Sequence, residues 1–188
     1  GQLNQLAITV AVTHPDDLDA MELYTTHLIA TGDLDRALEI YKSHVNDSVP
    51  EPQVFNTILD IESFKERADS VEYYTRLAMK RFPDRPEFML RKGSYYLINE
   101  QYKQAERAFR DALRRIDSDS LRGATLTMIG DAQYQDKRPR AAFRTYEKAL
   151  RLLPNDAGLL NNYAYFLSEE GRELERALEM SKRAITIS

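Results

Sequence analysis

Small residues recur along this chain at a fixed interval, and a repeat of that length decides the fold before any local detail does. Ala37, Val71, Ala105, Ala142 and Ala177 are separated by 34, 34, 37 and 35 residues. Seven residues further on, His44, Ala78, Ala112, Ala149 and Ala184 repeat the same four spacings. Aromatics fall between the ladders at Tyr41, Phe109 and Tyr146, and Pro15, Pro83 and Pro154 close three of the units. Two ladders in one register mark a tandem array of five units.

Each unit reads as two amphipathic helices of about 13 to 15 residues, apolar at i, i+3, i+4 and i+7, joined by a short polar turn. In the third unit the pattern predicts a first helix from about Pro86 to Asn99, with Phe88, Met89, Tyr96 and Leu97 as its stripe. Its second helix, from about Tyr102 to Ile116, is expected to bury Tyr102, Ala105, Phe109, Ala112 and Leu113. Lys103, Glu106, Arg107, Arg110 and Arg114 fall on the solvated face. Small side chains are needed where helix backbones approach closely, and Gly93, Gly130 and Ala164 supply them on the first helices. Asp16 with Asp17, and Asn155 with Asp156, place hydrogen-bond acceptors at helix starts. With 188 residues, 43% of them apolar, the chain builds a core without staples, and only 7 Gly and 7 Pro argue against an all-β fold.

This arrangement resembles the tetratricopeptide repeat family, from Pro15 to Ser188. The third unit carries Gly93, Tyr96, Tyr102, Ala105, Phe109 and Ala112 at the family's signature places, and the fourth carries Gly130, Ala142, Tyr146, Ala149 and Pro154. The fifth, NNYAYFLSEEGRELERALEM, looks like a variant common in bacterial members, with one extra residue near Glu173 and Leu174. Departures are His44 in place of Ala, a second unit without the expected glycines, and three extra residues at 117–120, expected to lengthen the turn there. The resemblance implies an all-α, right-handed α-solenoid, a superhelix of helix-turn-helix hairpins. The expected units span about 16–49, 50–83, 84–117, 118–154 and 155–188, and residues 1–14 read as the second helix of a truncated preceding repeat.

In such a solenoid the first helices line the concave side. Positions left free by the core pattern share one face: Glu22, Thr26 and Ile29; Asn56, Asp60 and Ser63; Leu90, Ser94 and Leu97; Thr127, Asp131 and Tyr134; Asn161, Tyr165 and Ser168. These candidate groove residues mix short polar side chains with Leu and Tyr, which suits an extended peptide or a partner helix. Family members that hold a chaperone's terminal carboxylate use Lys and Asn one turn apart. No corresponding pair here has a Lys, and Glu22, Asp60 and Asp131 would repel a carboxylate.

Charge is unevenly spread. Residues 1–72 hold 14 acids and 4 bases (−10), residues 73–153 hold 10 acids and 18 bases (+8), and the last 35 give −2. Arg107, Arg110, Arg114, Arg140, Arg144 and Arg151 are expected on outer helix faces, paired at i, i+4 with acids. The sharper alternative is that the basic middle docks an acidic partner or the acidic end of another copy. Nucleic acid is disfavoured as a partner, because the arginines are not interleaved with exposed aromatics along one face.

Catalytic and cofactor motifs are missing: there is no G-x-G-x-x-G, no phosphate-binding loop, no H-E-x-x-H and no G-x-S-x-G. With no cysteine, disulfides, thiolate metal sites and thiol nucleophiles are excluded. His14, His27 and His44 lack a third ligand for a metal, and the Asp117, Asp119, Gly123 run lacks the bidentate Glu of a calcium loop. Glu169 and Glu170 are adjacent and point to different sides of a helix. The longest apolar run, from Leu6 to Val12, falls well short of the roughly 18 residues that span a bilayer. The leading helix is apolar all round and no polar capping helix follows Ser188, so we expect a fragment of a longer repeat protein, from bacterial cytoplasm or a periplasm-facing lipoprotein. The expected function is a non-catalytic scaffold or adaptor, without cofactor, that takes a protein or peptide partner into the concave groove. The alternative is a structural assembly module that self-associates or joins a cell-envelope complex through its ends or charged faces.

Overall fold

A computed structural model of the chain describes residues 8–10, 13, 17–47 and 51–187. Residues 8–10 and 13 are helical. The rest of the expected leading helix, with His14, Pro15 and Asp16, lies outside the described residues.

From Leu18 the chain is a succession of antiparallel helices: α1 (Leu18–Ala30), α2 (Leu34–Asp47), α3 (Pro52–Phe64), α4 (Ala68–Arg81), α5 (Glu87–Ile98), α6 (Tyr102–Leu113), α7 (Asp119–Gln135), α8 (Pro139–Leu152), α9 (Ala157–Glu169) and α10 (Leu174–Ile187). No strand occurs among the described residues. Helices start where the side chains favour it. Asp17 accepts from the N–H groups of Asp19 and Ala20, and Asp156 from that of Leu159, while Pro52 and Pro139 occupy first-turn positions that need no donor.

Two compact units divide the chain, an N-terminal one ending at Ala78 and a C-terminal one beginning at Met79. Within the first, α1 packs on α2 and α2 on α3; within the second, each helix from α5 to α10 packs on the next. The ladder residues Ala37, Val71, Ala78, Ala105, Ala112, Ala142, Ala149, Ala177 and Ala184 are all buried. His44 is only half-buried, with Nδ1 3.2 Å from the Ile40 carbonyl oxygen.

Five hairpin turns among the described residues share one backbone. After α1, α3, α5, α7 and α9 the chain passes through a left-handed residue at Gly32, Glu66, Glu100, Lys137 and Gly171. At each turn the left-handed residue's N–H bonds back three residues and the next N–H bonds back five, as in Gly32 to Ile29 and Asp33 to Leu28. These ten bonds measure 2.8–3.1 Å and satisfy the carbonyls at the helix end. The extra residue of the fifth repeat is absorbed just after this motif, at Glu173, which is itself left-handed (φ 46°).

The three extra residues near position 117 do not lengthen the turn, contrary to expectation. They extend α7 to 17 residues against 12 in α5. Ser118 accepts from the Leu121 N–H, and Arg122 donates to the carbonyls of Leu113 and Ile116, closing the end of α6. The added turn fits because Gly123 leaves room for Leu153, whose Cδ1 lies 2.7 Å from where a Cβ would stand.

Candidate functional site

The expected groove residues of the N-terminal unit lie on two helices. On α1, Glu22, Thr26 and Ile29 are exposed. On α3, Asp60 is exposed while Asn56 and Ser63 are half-buried, and the Asn56 Oδ1 atom is buried without a hydrogen-bond partner among the described residues. The same unit holds a fully buried carboxylate, Glu62, paired to Lys42 and lying 3.5 Å from Arg67, which also reaches Asp35 at 3.2 Å.

In the C-terminal unit, Leu90, Ser94, Leu97, Thr127, Asp131 and Tyr134 are half-buried, and Asn161, Tyr165 and Ser168 are exposed. Leu90 packs into the core beside Met89 and Ala112. Tyr134 lies flat against Phe166, ring centroids 3.9 Å apart, and donates to Glu170 at 3.3 Å. Thr127 donates to the Gly123 carbonyl.

Three of these residues, Leu97, Asp131 and Tyr165, come together in an open cavity of about 630 Å³ between α5, α7 and α9. Ile98, Glu100, Tyr102, Gln135, Asn162 and Phe166 complete its lining. Its rim mixes accessible apolar side chains, Ile98 81% exposed and Tyr165 56%, with the exposed polar Glu100 and Gln135. Its floor holds Asp131, which accepts a hydrogen bond from the Tyr146 hydroxyl. Burial pushes the Asp131 carboxyl above its ordinary value, and the bond from Tyr146 only partly opposes this. Burial and the neighbouring Asp131 charge together push the Tyr146 hydroxyl far up. Asn161, Tyr165 and Ser168 also line a smaller cavity of about 330 Å³ against Leu174 and Leu178 of α10.

Ile98, Gln135, Asn162 and Phe166 each follow an expected groove residue by one position. A step of one residue turns a helix by about 100°, so the face used is rotated toward the neighbouring helices.

Among the solvated residues expected on α6, Glu106 is misplaced. It is 13% exposed and is held by Arg110 at 2.7 Å, Arg138 at 2.6 Å and Gln133 at 2.8 Å. Gln133 in turn accepts from Thr145 at 2.7 Å, tying α6, α7 and α8 together. Arg110 and Arg114 make the expected short-range pairs with Glu106 and Asp111, whereas Arg107, Arg140, Arg144 and Arg151 are exposed with no ion pair among the described residues. No group of three or more metal-ligating side chains occurs among the described residues. Nor is any described helix long and apolar enough to cross a membrane.

Repeated helical hairpins with a small-residue seam, each closed by one recurring left-handed turn, define the helical-repeat class. The chain matches the tetratricopeptide repeat family at residues 85–155 and again at residues 145–179, and it belongs to that family. No protein of curated function matches its sequence. Its fold is that of solved tetratricopeptide solenoids. It is similar to MamA from Desulfovibrio magneticus RS-1 (TM-score 0.70, 15% identity, 90% of this chain and 93% of that one). PilF of Pseudomonas aeruginosa is comparably similar (TM-score 0.70, 16% identity, 90% and 76%). So is YrrB, described as a tetratricopeptide protein with an unusual peptide-binding site (TM-score 0.66, 17% identity, 97% and 92%). Proteins of this fold serve in general as protein-interaction scaffolds.

Proposed function

We propose that this chain is a non-catalytic scaffold of five tandem hairpins that takes an extended peptide segment of a partner on its first-helix face. The cavity between α5, α7 and α9 carries this reading, because it combines exposed anchors for apolar side chains with polar groups that can meet a peptide backbone. The recurrence of one turn at Gly32, Glu66, Glu100, Lys137 and Gly171 supports the five-hairpin count.

The test is selection of peptides from a randomised library on the full chain, followed by titration against Tyr165→Ala. Loss of about 1–3 kcal/mol in binding with unchanged melting is expected for an exposed aromatic anchor. Unchanged affinity for every selected peptide would move the site elsewhere. Tyr165 is the sharper probe than Tyr134, whose stacking on Phe166 makes it part of the packing.

A second reading, assembly through the surface of α10, is favoured by the exposed Leu174, Leu178, Ile185 and Ile187 on that helix. Mass in solution that rises with concentration, and falls back with Leu178→Asp, would support it.

A further inference from the structure

Within residues 79–188 the half-buried carboxylates follow a rule with one exception. Glu87, Glu106, Asp111, Asp136 and Glu147 each lie within 3.6 Å of an arginine. Among the described residues Asp131 has only the neutral Tyr146 hydroxyl. A carboxylate withdrawn from water without a cation is costly, and the fold elsewhere avoids that cost. Nor does the cavity around Asp131 supply the missing charge. Its lining contains no Lys, Arg or His, and it carries a second carboxylate, Glu100, that has no ion pair among the described residues. Beside the polar Gln135 and Asn162, the side chains of Leu97, Ile98, Tyr165 and Phe166 are placed to cover the stem of a long side chain.

We propose that this cavity receives a basic side chain, Lys or Arg, from the bound peptide, with Asp131 and Glu100 as its ion-pair acceptors and Tyr165 and Phe166 flanking its stem. The occupant is thus a basic peptide segment, and the inference rests on the groove reading above. Charge complementarity selects it: two carboxylates without a counter-cation repel acidic segments, and a neutral residue can offer Asp131 at most an uncharged hydrogen bond. Cation–π contact with the exposed Tyr165 ring adds to the preference. The upward displacement of the Asp131 carboxyl agrees with a site lacking its cation, and an incoming ammonium or guanidinium would reverse it.

The experiment uses a randomised heptapeptide library selected on the full chain, keeping clones whose capture is lost with Tyr165→Ala. The kept sequences are expected to share a Lys or Arg at one position. For a synthetic peptide from that set, replacing the basic residue by Gln should weaken binding at least tenfold. Asp131→Asn, which retains an acceptor for Tyr146, should do the same, and the two losses should not multiply. Glu100→Gln, on an exposed turn, is the second variant, with about a threefold loss expected. Tyr165-dependent clones that share no basic position would overturn this inference and leave the groove reading standing. Multiplying losses would overturn it as well, by placing the cation elsewhere. A selection with no Tyr165-dependent clone overturns both.

Discussion

Phe109 occupies the space that a side chain on Gly93 would need: its Cδ1 atom lies 2.5 Å from the position of a Cβ there. The same relationship recurs 37 residues on, where the Tyr146 Cε1 atom lies 2.5 Å from the corresponding point at Gly130. One helix thus gives up a side chain so that an aromatic of its hairpin partner can lie against the backbone. Both rings are fully buried and cannot swing into solvent. Gly93→Ala gains about 0.5–1 kcal/mol of intrinsic helix preference, but overpacking costs about 1–3 kcal/mol. A net loss of roughly 1–2 kcal/mol in urea unfolding is expected, with partial recovery in the Gly93→Ala/Phe109→Leu double variant. A more stable single variant would show that the ring can move aside.

The shared turn makes an opposite forecast. Glu66, Glu100 and Lys137 hold φ values of 55–58°, where Gly32 and Gly171 sit in the same role. A side chain in that region costs about 1–2 kcal/mol, against the smaller extra entropy that glycine loses on folding. Lys137→Gly, at an exposed site, should therefore raise stability by about 0.5–1 kcal/mol, and Gly171→Ala should lower it by a similar amount. Thermal unfolding of the pair reads both signs.

How much of this was legible in the sequence depended on which residues carried the signal. Alanine ladders announce close packing because bulk is excluded at every repeat, and Ala37, Ala105, Ala142 and Ala177 are buried accordingly. The left-handed turns were readable only at Gly32 and Gly171, since Glu66, Glu100 and Lys137 carry the same backbone without the residue type that advertises it. The three extra residues at 117–120 point to a longer turn by spacing alone, yet Ser118 caps a longer helix instead. Leu97, Asp131 and Tyr165 of the cavity followed from helical spacing. Ile98, Gln135, Asn162 and Phe166 did not, because each stands one position, about 100° of helix, away from the face that the spacing picks out, and only tertiary packing decides which face borders the cavity.

Glu106 falls on the polar stripe of its helix, which the sequence pattern assigns to solvent, while its decisive partners lie 27 and 32 residues away. Burial works to raise its carboxyl, but hydrogen bonds from Arg138, Arg110 and Gln133 outweigh that and hold it below its ordinary 4.5. Because the folded value is the lower one, the stabilisation is present above the ordinary value and is lost as pH falls through the folded one. Arg138→Ala strips the main partner from a nearly buried charge and should cost about 1–3 kcal/mol at neutral pH. The cost should shrink as pH drops below 4.5. Two residues away, Arg140 is exposed and unpaired among the described residues, so Arg140→Ala should stay within about 0.5 kcal/mol of the parent. Equal losses for the two arginines would remove the network from any role in stability.

Asp131 gives the reverse case, and its sign separates a binding residue from a structural one. Burial raises its carboxyl above the ordinary 3.8, so the folded chain holds that proton more tightly than the unfolded chain does. Deprotonation therefore disfavours the fold as pH rises through the raised value, and below 3.8 both states are protonated and the penalty vanishes. Asp131→Asn keeps an acceptor for the Tyr146 hydroxyl and removes the charge, so it should stabilise the unliganded chain by about 0.5–1 kcal/mol at pH 7. That gain should fade as the pH approaches 3.8, a trend that denaturant midpoints at pH 7, 5 and 3.5 would follow. A residue kept for packing would lose stability on this substitution. One kept for a cation that arrives with a partner should instead gain stability and lose affinity together, and only the second outcome agrees with a carboxylate waiting for its counter-charge.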